Sequence, residues 1–61
     1  MIIEKQFQEL YIGNIFTIGN SGYMYIKIEQ INEYDDNAVA LNGEDAGQLI
    51  WIHPKMKVTV C

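Results

Sequence analysis

The stretch "YMYIKIEQI" at residues 23–31 carries the strongest strand pattern in the chain. Its side chains alternate, so aliphatic residues fall on one face and amphipathic or charged residues on the other. The first face holds Met24, Ile26 and Ile28, and the second holds Tyr23, Tyr25, Lys27 and Glu29. If the aliphatic face fills the interior, the tyrosine face lies outside, where it would form a dimer seam or a ligand wall.

Four further strands are predicted on either side of this stretch, because apolar runs alternate with segments rich in Gly, Asn and Asp. They are "NIFTI" at 14–18, "AVAL" at 38–41, "QLIWI" at 48–52 and "KVTV" at 57–60. Turns are predicted at "GNSG", residues 19–22, and at "NGEDAG", residues 42–47. The Asn42-Gly43 dipeptide favours a tight turn, and Gly47 offers a second permissive point for a longer one.

Five short strands in one unit predict an all-β domain spanning residues 1–61, namely a small five-stranded antiparallel SH3-like barrel or a bent sheet. Closure of the barrel would remove exposed sheet edges. The first ten residues, "MIIEKQFQEL", have apolar side chains at the spacing of a short N-terminal helical turn. An extended start is the alternative.

The composition points to association with another chain. A domain of 61 residues buries a small fraction of its surface and usually needs disulfides, a metal or a partner. The single cysteine cannot form an internal bridge, and one His with one Cys does not make a zinc site. With 49% hydrophobic residues, the sequence predicts a homo-oligomer and no cofactor or metal.

The net charge of −4, with four lysines and no arginine against eight acids, argues against direct DNA binding, which requires phosphate-neutralising cations. Six of the eight acids lie between Glu29 and Asp45, and this acidic end is an alternative means of occupying a basic groove on another protein. With no apolar run near 18 residues and no signal-peptide pattern, we expect a cytoplasmic protein that makes no membrane contact.

Catalysis is not expected, because nucleophilic chemistry needs a nucleophile beside an oriented base. His53 is the one histidine available as a base, and Cys61 lies at a chain end. We interpret His53 as a residue at a strand end before Pro54. The sequence therefore predicts no catalytic residue.

Three short motifs resemble a group of very small phage and prophage proteins. They are Gly13-Asn14-Ile15-Phe16, Tyr25-Ile26-Lys27 and Asn37-Ala38-Val39, followed by a Gly-containing turn and a final Val-X-Val. The resemblance covers about residues 10–60 and implies an SH3-like β fold and a mobile-element origin. It also implies action by binding, since small phage proteins often inhibit a host enzyme, regulate transcription or neutralise a bacterial defence.

Tyr23, Tyr25 and Lys27 are the main candidate binding residues, with Tyr11 and Trp51, because flat rings with a polar group are enriched at binding sites. The competing interpretation is that each ring packs in the core. We predict a non-catalytic protein that acts by stoichiometric capture or inhibition, in counter-defence or host regulation. Its ligand is expected to be a host protein or a nucleotide-type signal. The alternatives are a regulator associated with a nucleic-acid-binding complex and a structural phage component.

An oligomer interface is the predicted location of a small-molecule site, with Lys27 or Lys55 supplying the charge. The reason is size, because one small barrel is not expected to enclose a pocket of about 300 Å³ or more.

Overall fold

The computed structural model describes residues 2–19 and 21–61, and over these ranges the chain forms a six-stranded antiparallel sheet. A 3₁₀ helix at Phe7–Glu9 follows the first strand. The strands are β1 Ile3–Gln6, β2 Ile15–Thr17, β3 Met24–Lys27, β4 Ala38–Ala40, β5 Leu49–Ile50 and β6 Lys57–Val60. The all-β class predicted from the sequence is therefore confirmed.

The sheet has the order β1-β6-β2-β3-β4-β5 and is not closed, so the predicted five-stranded barrel is not confirmed. The sixth strand is β1, which pairs along its length with β6. Isolated hydrogen bonds, rather than a ladder, join the chain after β1 to the chain after β5. The Phe7 N–H donates to the Met56 carbonyl and the Gln8 N–H to the Pro54 carbonyl, each at 2.8 Å.

Both alternatives for the first ten residues occur, one after the other. Residues 3–6 are extended as β1, and the helical turn is limited to the 3₁₀ helix. The Glu9 carboxylate accepts a hydrogen bond from the Gln6 N–H at 2.9 Å, which satisfies a free donor at the start of that helix. Two residues with helical spacing, Phe7 and Leu10, are both buried. Met1 lies outside the described residues.

The hydrophobic core lies between one face of the sheet and the 3₁₀ helix. Phe16 on β2 is fully buried, and the ring of Phe7 meets it edge-on with centroids 5.3 Å apart. The core residues are Phe7, Leu10, Phe16, Ala38, Ile52 and Val58, with Ile18, Tyr25, Ile50 and Val60 packed against them. Phe16 and Ile18, two residues apart, thus both belong to the core side of the sheet.

Of the two orientations considered for β3, the structure has the one in which Tyr25 packs on the core. Tyr25 lies opposite Phe16 in the register and stacks on its ring, and the Lys27 ammonium lies 4.8 Å from the centroid of the Phe7 ring. The tyrosine face of β3 therefore points toward the core, and Ile26 lies on the outer face. Burial of this face is possible because a tyrosine ring and a lysine stem can cover apolar surface while their polar ends reach partners or water.

The outer face of β2 to β5 presents an aliphatic row. Ile15 is opposite Ile26, Ile26 is opposite Val39, and Val39 is opposite Leu49. Within these four strand ranges, the outward positions carry no charged side chain. We call these four residues the outer row.

The turn after β4 is longer than two residues. Gly43 and Gly47 both have positive φ, +80° and +89°, whereas Asn42 does not. The Gly47 N–H donates to the Ala40 carbonyl at 2.7 Å and closes the loop. The alternative of a longer turn with Gly47 as a second permissive point is therefore confirmed. In the other predicted turn, "GNSG", Asn20 lies outside the described residues.

Over residues 2–19 and 21–61, no helix has the length and apolar character needed to cross a bilayer.

Candidate functional site

A cleft of about 410 Å³ lies beside the 3₁₀ helix, where the end of β3 meets the loops on either side. Its volume falls within the usual range for small-ligand sites. We call it the Lys27 cleft; its lining residues are Phe7, Gln8, Leu10, Tyr11, Ile12, Lys27, Ile28, Gln30, Asn37 and Pro54. All of these residues come from a single chain, and the cleft that they line is open to solvent and not enclosed.

Lys27 is held in the cleft wall by backbone carbonyls. Its Nζ donates to the Leu10 carbonyl at 2.7 Å and to the Phe7 carbonyl at 3.2 Å. The Phe7 carbonyl also accepts from the Leu10 N–H at 3.0 Å, so the lysine is its second donor, and the two lysine contacts fasten the 3₁₀ helix to β3. The same contacts fix the position of the ammonium group.

Burial lowers the pKa of Lys27 below its ordinary value of 10.5, because removal from water disfavours the charged form. The face of the Phe7 ring and the two carbonyls oppose this effect, since each attracts a cation. A partly desolvated ammonium interacts more strongly with an anion than one in bulk water does.

The loop before β2 forms the rim of the cleft. The Gly13 N–H donates to the Lys27 carbonyl at 2.8 Å, and the Lys27 N–H donates to the Asn14 carbonyl at 3.0 Å. The Asn14 side chain also accepts from the Tyr11 N–H at 2.9 Å. This loop is therefore fastened to β3, while the side chains of Tyr11 and Ile12 remain largely exposed at the rim.

Asn37 forms the buried back of the cleft and was not among the predicted binding residues. Its side chain accepts from the Ile52 N–H at 2.7 Å and donates to the Ile52 carbonyl at 2.9 Å. Both of its polar atoms are thus paired with one residue beyond β5. This buried amide is hydrogen-bonded, as buried polar groups usually are, and it joins the residue before β4 to the chain after β5.

Tyr23 and Tyr25 line a different cavity, of about 150 Å³, together with Ala40, Asn42, Glu44 and Asp45. We call it the tyrosine cavity. Asn42 braces it, since its side chain accepts from the Met24 N–H at 2.9 Å and donates to the Gly22 carbonyl at 3.3 Å. Tyr25 also packs on the core, so this ring combines the two predicted roles of core packing and cavity lining.

Trp51 lines neither cavity. Its Nε1 donates to the Glu33 carbonyl at 3.1 Å, and its ring meets the His53 ring edge-on with centroids 5.7 Å apart. The tryptophan therefore fastens the loop before β4 to the chain after β5. Of the five predicted binding residues, the structure brings Lys27 and Tyr11 together, pairs Tyr23 with Tyr25, and leaves Trp51 apart.

Sequence reasoning missed Gln8, Ile12, Gln30 and Pro54 as lining residues. They belong to three separate segments of the chain, and no spacing in the sequence relates them. Lys27 could be identified from the sequence, because a lysine is unusual among the strongly apolar residues of this strand.

Comparison with known proteins finds no family model, no curated protein and no solved structure that matches this chain.

Proposed function

We propose that this is a non-catalytic binding protein that captures one ligand per chain in the Lys27 cleft. The observation that supports it best is the fixed ammonium of Lys27, which donates to two backbone carbonyls beside a cleft of about 410 Å³. Binding sites usually combine an apolar lining with a few polar groups at defined positions. The Lys27 cleft has that composition.

The ligand class is a nucleotide-type small molecule. Tyr11 offers an exposed ring at the rim, and aromatic rings stack on bases of any sequence. The apolar side chains of Ile12, Ile28 and Pro54 supply further surface against which a flat group can pack. Capture of a host protein is the other possibility predicted from the sequence, and it would use the same rim. The nucleotide titration described below separates the two ligand classes.

Stoichiometric capture fits the setting that the resemblance to small phage proteins implies. A protein without turnover lowers the free concentration of a host signal in proportion to its own amount. In that setting the chain acts in the host cytoplasm, in counter-defence or host regulation. The SH3-like architecture remains part of this proposal.

Self-association is the second part of the proposal. Antiparallel sheets that face water usually alternate polar side chains on the outer face, whereas the outer row is aliphatic from Ile15 to Leu49. Packing of this face on that of a second copy would remove the row from water. The resulting homo-oligomer would leave the Lys27 cleft to each chain separately, because Lys27 lies on the face of β3 opposite the outer row.

The test is a two-dimensional amide NMR titration with a panel of mono-, di-, tri- and cyclic nucleotides. We expect saturable shifts at Gln8, Tyr11 and Ile12 with one equivalent per chain, and a ligand that is recovered unchanged. A panel that shifts none of these amides, or a ligand that is converted to product, would contradict the proposal.

Tyr11 and Tyr34 offer a matched pair of variants, since their side chains are 78% and 85% exposed and only Tyr11 lines the cleft. Loss of one base-stacking ring costs about 1–3 kcal/mol, so Tyr11→Ala should weaken binding by roughly 5- to 150-fold. Tyr34→Ala should leave the affinity unchanged. Equal effects of the two substitutions would place the ligand elsewhere.

A further inference from the structure

From the hydrogen-bonding groups that the fold leaves free in the Lys27 cleft, we infer that its ligand is a nucleotide with a single negative charge, such as a cyclic mononucleotide, and not a polyphosphate. This inference rests on the proposed function and specifies its ligand. A side chain that is already committed to the fold cannot recognise a ligand. When the groups that already bond within the fold are excluded, few groups of the lining residues remain free to bind a ligand.

The cleft has one cationic donor to offer. A lysine ammonium has three N–H groups, and the Lys27 ammonium uses two of them on the carbonyls of Phe7 and Leu10. One N–H is left for a ligand. Among the described residues that line the cleft, Lys27 alone carries a positive charge.

The side-chain amides of the cleft are partly committed to the fold. Gln30 uses both N–H groups of its amide on the carbonyls of Glu33 and Asp35, at 3.0 and 2.8 Å, which leaves its carbonyl oxygen. Gln8 donates one N–H to the Gln6 side chain, which leaves its carbonyl oxygen and its second N–H. Asn37 is paired with Ile52 through its oxygen and one N–H, which leaves its second N–H.

A complementary ligand therefore has one anionic or acceptor group for Lys27 and N–H donors for the two glutamine oxygens. It also needs an apolar surface to pack on Ile12, Ile28 and Pro54. A nucleobase with an exocyclic amine supplies the donors and the flat surface, and one phosphodiester supplies a single charge. The Gln8 amide keeps an oxygen and one N–H, the two groups with which a glutamine pairs with the adenine edge, whereas Gln30 can only accept from the exocyclic amine.

A polyphosphate does not match this set. Tight binding of several phosphate charges usually relies on arginine or on multiple cations, and the chain has no arginine. The segment that follows the cleft residue Gln30 is acidic, with Glu33, Asp35 and Asp36, and the whole chain has a net charge of −4. Each additional negative charge on a ligand would therefore be repelled without a second cation to receive it.

The test compares three ligands by isothermal titration calorimetry on the intact chain, with amide NMR shifts to confirm the location. The ligands are 3′,5′-cyclic AMP, ATP and uncharged adenosine. A hydrogen bond to a charged group contributes about 1.5–3 kcal/mol, so cyclic AMP should bind at least about tenfold more tightly than adenosine. It should also bind at least about tenfold more tightly than ATP.

The outcomes separate this inference from the proposed function. ATP binding in the cleft as tightly as cyclic AMP, or adenosine binding as tightly, would overturn the single-charge inference and leave the binding function standing. N-acetyl-tryptophan, a carboxylate with the same charge, is titrated in the same way as a further control, and tighter binding of it than of cyclic AMP would also overturn the inference in favour of a peptide-type ligand. Absence of cleft binding by every nucleotide would instead overturn the proposed function.

Variants provide a second readout. Gln30→Leu should lower the affinity for cyclic AMP, since it removes an acceptor; it also removes the two hydrogen bonds to Glu33 and Asp35, so an unchanged amide NMR spectrum outside this loop is the control for the fold. Lys55→Gln changes a lysine outside the cleft and should have no effect. If Gln30→Leu binds as tightly as the wild type, the glutamine oxygen does not recognise the ligand and the inferred nucleobase contact is wrong.

Discussion

Phe16 and Tyr25 lie directly opposite each other on β2 and β3, with ring centroids 5.6 Å apart and planes inclined by 26°. The stack closes one side of the core. It also places Tyr25 between Tyr23 and Lys27 on the same face of β3. The tyrosine cavity therefore lies at the start of this strand face, and the Lys27 cleft lies at its end.

The Tyr25 ring should contribute to stability through its packing and not through its hydroxyl. We expect Tyr25→Ala to lower the free energy of unfolding by about 3 kcal/mol, since it removes a large ring from the core. Tyr25→Phe keeps the stack and should change the free energy of unfolding by less than about 0.5 kcal/mol. Urea unfolding measures both, and a Tyr25→Phe loss as large as that of Tyr25→Ala would show that the hydroxyl is essential.

Asn37 should be among the most sensitive polar residues of the chain, because its side chain is 2% exposed and pairs with both backbone groups of Ile52. We expect Asn37→Ala to cost about 2–3 kcal/mol, since it leaves a buried N–H and a buried carbonyl unpaired. The exposed Asn32 is the control, and Asn32→Ala should cost less than about 0.5 kcal/mol. Similar midpoints for the two variants in chemical denaturation would contradict the role assigned to Asn37.

The affinity for a singly charged ligand should depend on the protonation of Lys27. Burial lowers the pKa of this lysine below 10.5, so the ammonium is present at low and neutral pH and is lost as the pH rises through that lowered pKa. Binding of cyclic AMP should therefore weaken on the alkaline side before pH 10.5 is reached. Calorimetry across this range provides the measurement.

Uncharged adenosine is the control for that pH series. Its affinity should stay nearly constant, because it has no charge to pair with Lys27. Parallel losses for adenosine and cyclic AMP would mean that alkaline pH changes the protein and not the ion pair.

Alanine substitutions at Gly43 and Gly47 should separate the effect of backbone strain from the effect of contact with the Tyr23 ring. Both have positive φ, but a Cβ on Gly43 would lie 2.6 Å from the Tyr23 ring, whereas a Cβ on Gly47 meets nothing within 4 Å. Each change to alanine should cost about 1–2 kcal/mol from backbone strain. Only Gly43→Ala should also displace the Tyr23 ring, seen as shifted ring resonances in NMR. Unshifted Tyr23 resonances in that variant would contradict the close approach.

The outer row should drive self-association. Leu49 belongs to the row and is 58% exposed, and Ile31 is an 86% exposed residue of the loop after β3. Leu49→Lys places a charge in the proposed interface and should weaken the dimer by at least about tenfold, while Ile31→Lys should not. Sedimentation equilibrium measures both, and a monomeric wild type at high concentration would rule out the dimer.

Much of the strand content could be predicted from the sequence because two-residue alternation is a local property. The predicted strand at 57–60 matches β6, and the strand centred on Phe16 matches β2. The predicted strands 23–31 and 48–52 are shorter in the structure, at Met24–Lys27 and Leu49–Ile50. Beyond the ends of these two strands, backbone groups bond to side chains and loops, as the Ile52 N–H does to Asn37. The alternation of side chains does not predict such bonds.

Only part of the candidate site could be predicted. Lys27 and Tyr11 stood out by residue type, but Gln8 and Pro54 have ordinary surroundings in the sequence and join the cleft through one hydrogen bond between their backbones. Contacts of that kind depend on how the chain after β1 meets the chain after β5. No local pattern encodes this meeting.

The sequence by itself determined that the chain forms short antiparallel strands and that glycines occupy the turn after β4, because alternation and φ preferences act within a few residues. The tertiary structure alone decided which face of β3 is buried. Both faces of that strand have enough apolar surface to pack inward, and the choice depends on partners distant in the chain. Phe16 receives the ring of Tyr25, and the carbonyls of Phe7 and Leu10 satisfy the Lys27 ammonium, which makes burial of the amphipathic face favourable.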